Sequence, residues 1–214
     1  MFLGHYALGL AAKRVHRGLS LPILLAAPQL LDLLWPLFVL AGIERVEVAP
    51  GDTAFTPLRF VSYPWSHSLA MAIVWGLAFA AVARARGVSR RGAWVVGALV
   101  VSHWVLDVVS HRPDMPLWPF GRQRLGLALW QSIPLTVVVE LSMYAAGVTL
   151  YLSATRSRDR TGTWAFAGLI GFLLLAYVGS LVGPPPPSAS AVAISALALW
   201  LIPLWGSWIE THRQ

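Results

Sequence analysis

The stretch SHWVLDVVSH, residues 102–111, sets His103, Asp107 and His111 into a run that is otherwise apolar apart from two serines. A four-residue recurrence places the three on one face of a helix in successive turns. An apolar helix carries such a stripe only if the stripe meets other polar groups. The rest of the chain supplies them: Asp32 in APQLLDLLWP, His67 in PWSHSLAM, Glu140 in VVVELSMY and His5 in FLGHYALG. Imidazoles combined with carboxylates form the donor set that zinc prefers and that manganese or iron tolerates. A carboxylate outside the ligand set can serve as general base on a water activated by the ion, and Glu140 or Asp114 is the candidate. His103 and Asp107 come within common reach of one divalent ion. His111, a further turn away, belongs to a second ion or to the rim. The plainer reading of the same residues is a buried hydrogen-bond network without metal, and Glu140 taken alone reads also as a packing residue.

These residues need a membrane-embedded frame. The chain has 214 residues, 57% of them hydrophobic and only 12% charged, with a mean hydropathy of +0.66. That composition lies well outside the mix of a soluble domain. Cysteine is absent, which excludes thiolate metal sites and cysteine nucleophiles and leaves oxygen and nitrogen ligands. The net charge of +7 sits in short clusters between apolar runs, Lys13 to Arg17, Arg84 to Arg91 and Arg156 to Arg160. Such clusters mark membrane topology and give no footprint for nucleic acid.

Apolar runs at 21–43, 66–86, 92–110, 132–154, 163–183 and 189–208 predict six transmembrane helices. MFLGHYALGLAAKRV is too short to span, and its charges follow its apolar stretch where a cleavable signal peptide would have them first. It reads as a half-length helix packed into the bundle. The expectation is an all-α integral membrane protein, one domain over residues 1–214, with the metal-site motifs in 1–140 and accessory spans in 141–214. GPPPPSAS makes a stiff turn between the last two spans.

The positive-inside rule assigns the clusters around Lys13, Arg84, Arg156 and Arg213 to the cytoplasm. The long loops 44–65 and 111–131, rich in Pro, Trp and Tyr, then cap the outer side. Following depth along the alternating spans, Asp32, His67, His103, Asp107, His111 and Glu140 all fall in the outer half of the membrane. His5 joins them if the half helix rises from its basic cytoplasmic end.

The motifs resemble those of the inner-membrane metal-dependent hydrolases of the YdjM type, which are weakly similar to zinc-dependent phospholipases C. That family opens with a His in an N-terminal helix, as His5 does here. It continues with Ala-Pro-Asp-Leu-Asp, His-Arg-Gly-x-Thr-His-Ser, Ser-His-x3-Asp and Trp-Pro-Phe. The counterparts are APQLLD at 27–32, SYPWSHS at 62–68, SHWVLD at 102–107 and WPF at 118–120, so the resemblance covers about the first two thirds of the chain. Gln29 and Ser62 stand where the family has an acid and a His, which leaves ligands for one ion and puts the family's further ions in doubt.

The resemblance and the residues together imply a multi-pass inner-membrane hydrolase dependent on a divalent metal, with zinc expected and His5, Asp32, His67, His103, Asp107 and His111 as metal residues. A site in the outer half of the bilayer meets lipid headgroups first, so membrane lipids are the expected partners and a lipid phosphoester the expected substrate. The rivals are a non-catalytic metal-binding scaffold and an ion- or proton-handling transporter. Transporters typically carry broken helices or paired repeats, and neither is evident in the sequence.

Overall fold

The computed structural model describes residues 1–214. The first helix, α1 (Leu3–Val15), buries Leu3, Tyr6, Ala7 and Leu10, the apolar side of a short segment that ends in Lys13 and Arg14. It lies against α7 (Ile133–Ala154). Its seat depends on two glycines. A Cβ on Gly147 would meet the Ala7 backbone, and one on Gly9 would overlap the Leu24 carbonyl oxygen. Close helix approach through small residues is the usual solution in a bilayer, where apolar burial drives no association.

The first span runs through α2 (Leu21–Ala26), a 3₁₀ turn at Ala27–Gln29 and α3 (Leu30–Leu40). Pro28 lies in that turn, and a proline has no N–H to offer a helical ladder. The last span also tightens midway, with α9 (Ala189–Ala196), a proline-free 3₁₀ turn at Leu197–Trp200 and α10 (Leu201–His212), the backbone staying right-handed throughout. The two spans pack together, α10 on α2 and α9 on α3.

Five helices, not six, are long and apolar enough to cross a membrane: Leu21–Leu40, Arg90–Ser110, Ile133–Ala154, Arg160–Val182 and Ala189–His212. The run expected at 66–86 forms instead a single turn, α4 (Pro64–His67), and a 17-residue helix, α5 (Leu69–Ala85). Ser68 separates them, its backbone extended and its hydroxyl accepting from the Met71 N–H as an N-cap. At about 1.5 Å per residue, α5 reaches about 26 Å, at the short end of what a hydrocarbon core of about 30 Å requires, and it carries the chain from the His67 end of the bundle to the basic 84–91 connection. It packs along α6 (Arg90–Ser110). α8 (Arg160–Val182) completes the bundle.

The loops on the site's side are not purely helical caps. β1 (Arg45–Val48) and β2 (Leu58–Ser62) form an antiparallel ribbon in which Val46 faces Phe60 and Val48 faces Leu58. A second pair joins β3 (Met115–Pro116) to β4 (Arg124–Leu125). Large apolar side chains such as Val105, Val138, Leu175 and Leu204 stand exposed on the outside of the bundle, the surface that lipid would cover.

The basic connections gather at one end. Lys13, Arg17, Arg156, Arg158 and Arg213 line one recess, and His16 hydrogen-bonds Ser89 at 2.8 Å, bringing the 84–91 connection beside them. α1 carries the chain from this end towards the other, so His5 stands about 12 Å of helix away from Lys13.

Candidate metal centre

His103 and Asp107 project from the same face of α6, and the surrounding elements aim both. The Nδ1 of His103 donates to the Pro28 carbonyl at 2.7 Å; the turn in the first span thus orients an imidazole on α6. This bond leaves Nε2 as the lone-pair nitrogen. Nε2 lies 3.0 Å from Asp107 Oδ2 and 3.7 Å from Asp32 Oδ1. It is buried and has no hydrogen-bond partner.

His67 is aimed by a longer chain. Its Nδ1 donates to Ser66 Oγ at 2.6 Å, and that hydroxyl donates to Glu44 Oε2 at 2.6 Å. Glu44 is fixed in turn by the N–H groups of Trp65 and Ser66, each 2.8 Å from Oε1. Burial holds the Glu44 carboxyl above its ordinary value, against the lowering effect of the Ser66 and Trp65 bonds. The His67 Nε2 then faces Asp32 Oδ1 at 3.3 Å and Asp107 Oδ2 at 3.9 Å.

The four atoms His67 Nε2, His103 Nε2, Asp32 Oδ1 and Asp107 Oδ2 therefore meet at nitrogen–oxygen separations of 3.0–3.9 Å. A tetrahedral zinc ion with bonds of about 2.1 Å separates its ligand atoms by about 3.4 Å. Two neutral imidazoles and two carboxylates also offset the charge of a divalent cation. Donor set, spacing and the unpartnered Nε2 all fit such an ion. Asp32 is the most open of the four residues, with its side chain 30% exposed against 5% or less for the other three.

His5 reaches the cluster from α1. Its Nε2 lies 3.1 Å from Asp107 Oδ1, and its ring stacks on His103 at 3.7 Å between centroids. The Met1 amino nitrogen is 2.6 Å from the same Oδ1. Asp107 is thus shared: Oδ1 is held by α1, and Oδ2 faces the two imidazoles. Two overlapping groups of three bring one candidate ligand atom from each residue within 4.8 Å of one another, Asp32 with His67 and His103, and His5 with His103 and Asp107.

Three residues expected at the site stand apart from the four atoms. α6 ends at Ser110, and His111 continues in extended conformation, so its side chain leaves the stripe. Its Nδ1 lies 3.0 Å from Asp114 Oδ1, and its ring packs against Trp130. Asp114 accepts from Tyr63 and Arg112 as well. Although burial pushes its carboxyl up, the bonds from His111, Tyr63 and Arg112 hold it below its ordinary value. Burial and the neighbouring Asp114 carboxylate raise the Tyr63 hydroxyl. Glu140 is the clearest correction to a base at the centre: its Oε2 accepts the N–H groups of Phe2, Leu3 and Gly4 and caps α1.

Above the centre lies a cavity of about 170 Å³. Asp32, His67, Asp107 and His111 give it one polar wall, and Trp35, Phe60 and Trp130 are among its apolar residues. Sequence reasoning missed Glu44, Ser66, Tyr63 and the Pro28 carbonyl. Ser66 adjoins His67, and that adjacency was the one available signal; nothing in the spacing links Glu44 to a helix turn some twenty residues on. Of the two departures from the family motif, Gln29 is buried at the break in the first span and Ser62 is exposed on β2.

No curated protein and no solved structure matches the chain. A family model described as YdjM inner membrane protein matches residues 56–184, a stretch that includes His67, His103 and Asp107 and leaves His5 and Asp32 outside it. That match covers more than half of the sequence and, with the apolar helices, marks a multi-pass inner-membrane protein: the chain belongs to the YdjM inner membrane protein family.

Proposed function

We propose that the protein is a membrane-embedded hydrolase dependent on a divalent metal, zinc being the ion its donors suit best, and that it acts on lipid phosphoesters. The observation that carries this reading is the convergence of two imidazole nitrogens and two carboxylate oxygens from three separate segments, three of the four residues lining one cavity. His67, His103, Asp32 and Asp107 would hold the ion. When bound, such an ion polarises a phosphoryl oxygen and acidifies water.

The remaining work falls to the chain's own groups. Pro28 and the Ser66–Glu44 pair keep both imidazoles in the tautomer that presents Nε2. His5 fixes the far oxygen of Asp107. Trp35, Phe60 and Trp130 keep the cavity narrow and exclude bulk water. Proton transfer is assigned to His111 in place of Glu140: with Nδ1 directed at Asp114, its Nε2 is the basic nitrogen, and the residue lines the cavity. Asp114 orients it and is not itself the base.

The test is phosphate release from phosphatidic acid in detergent micelles. The wild-type chain is expected to be active, to lose activity on chelation and to regain it with zinc. Asp107→Asn is expected to be inactive, and His111→Ala strongly impaired with its metal retained. A stably folded, zinc-loaded protein that hydrolyses neither phosphatidic acid nor other phosphoesters would contradict the reading.

A second reading is favoured by one observation. The first and last spans are both interrupted by 3₁₀ turns and pack together, and broken paired helices are a feature of transporters. On that reading the same centre handles an ion or proton. Zinc or proton flux into sealed vesicles that depends on Asp32 and Asp107, without hydrolysis, would favour it. Metal binding with neither flux nor hydrolysis would leave the non-catalytic scaffold.

A further inference from the structure

We propose that the groove between α8 and the last span binds the hydrocarbon chain of the lipid whose headgroup enters the metal centre. This rests on the hydrolase reading above for its headgroup end. The groove encloses about 450 Å³ and carries no charged residue. Phe172, Ala176 and Ser180 line it from α8, and Val192, Ala196 and Leu199 from the other side. The α8 residues recur every four positions, so they form one helical face about 12 Å long. Two alanines and a serine among these six leave the room that larger side chains would fill.

Its position identifies the occupant. Phe2 and Leu58 line both this groove and the cavity that holds Asp32, His67 and Asp107. The two spaces are therefore neighbours across a wall of two apolar side chains. An amphiphile with its phosphate at the ligand atoms has a path for its chain past Phe2 and Leu58, between α8 and α9. The groove lies in the half of the bundle away from the recess of Lys13, Arg156 and Arg213, as the centre does. A peptide would leave its backbone groups unsatisfied against such walls, whereas a hydrocarbon chain needs no partner. The occupant is accordingly the acyl chain of a phospholipid, and the spans that lie beyond the metal motifs serve to hold the substrate.

The experiment uses the full chain in vesicles of phosphatidylcholine and phosphatidylglycerol, with a phosphatidylglycerol probe carrying a diazirine in one acyl chain. Irradiation followed by peptide mapping is expected to concentrate label on Phe172–Ser180 and Val192–Leu199, above the lipid-exposed Val105 and Val138. Ala196→Trp and Ala176→Trp fill the groove from opposite walls and are expected to lower that labelling about tenfold or more. Ile194→Trp, on an exposed face of α9, is expected to change nothing. Label spread evenly over the exposed apolar surface, or unchanged in both groove variants, overturns the proposal. Should both variants fail to fold, the wild-type map decides alone. Concentrated label without phosphoester hydrolysis would keep the groove and remove the hydrolase reading; hydrolysis with evenly spread label would do the reverse.

Discussion

Asp107 presents its two oxygens to different company, Oδ1 to His5 and the Met1 amino nitrogen and Oδ2 to the Nε2 atoms of His103 and His67. Two other buried acids accept backbone N–H bonds and yet do different things. Glu44 reaches His67 through Ser66, so Glu44→Gln is expected to weaken zinc binding by about 10–100-fold in a chelator competition, the usual cost of losing an outer-shell partner. Glu140 caps α1 through Oε2. Glu140→Gln is expected to lower stability by about 1–3 kcal/mol and to leave the metal stoichiometry unchanged. Asp114 carries a pH signature, since its carboxyl is held below its ordinary value by His111, Tyr63 and Arg112. A depressed folded value contributes stability above the unfolded value near about 4, and that contribution fades as pH falls through the folded value. Asp114→Asn is therefore expected to melt at a lower temperature than wild type at neutral pH, with the gap closing below about pH 4.

The break at Ala27–Gln29 brings the Pro28 carbonyl to His103, and α1 brings His5 to Asp107. Both depend on close helix contacts. Gly147→Leu would push α1 off α7 at Ala7, and a strained or displaced seat costs about 1–3 kcal/mol. The expected result is a lower melting temperature together with weaker metal retention, read on one purified sample. Much of this arrangement is legible in the residues. The four-residue spacing of His103 and Asp107 is a helical period, and alternating span direction brings Asp32 and His67 to their depth. The break that shortens α5 is hidden by the apolar run at 66–86, which reads as one span although Ser68 is an N-cap signal and Pro64 a helix start. The departure of His111 from the stripe is not legible either, because nothing in the spacing announces that α6 stops at Ser110. Glu44 is invisible in the sequence because its link to His67 spans a β-ribbon and has no period to detect.

The whole molecule separates its charges along the bundle. The basic recess of Lys13, Arg17, Arg156, Arg158 and Arg213 occupies one end, and the cavity over the centre opens nearer the other. The positive-inside rule predicts that the recess faces the cytoplasm. A cysteine replacing Arg158 is expected to react with a membrane-impermeant reagent only in opened cells, and one replacing Arg59, on the exposed side of β2, in intact ones. The reverse pattern would turn the cavity to the inner leaflet. The central claim is that the His67, His103, Asp32 and Asp107 atoms are gathered around an ion, and the most direct measurement is the metal content of the purified chain after exchange with zinc. One zinc per chain in wild type, lost in His103→Ala and Asp107→Asn while both variants remain folded, is the expected result. Wild-type protein that stays folded and holds no divalent metal, or variants that hold as much as wild type, would contradict it.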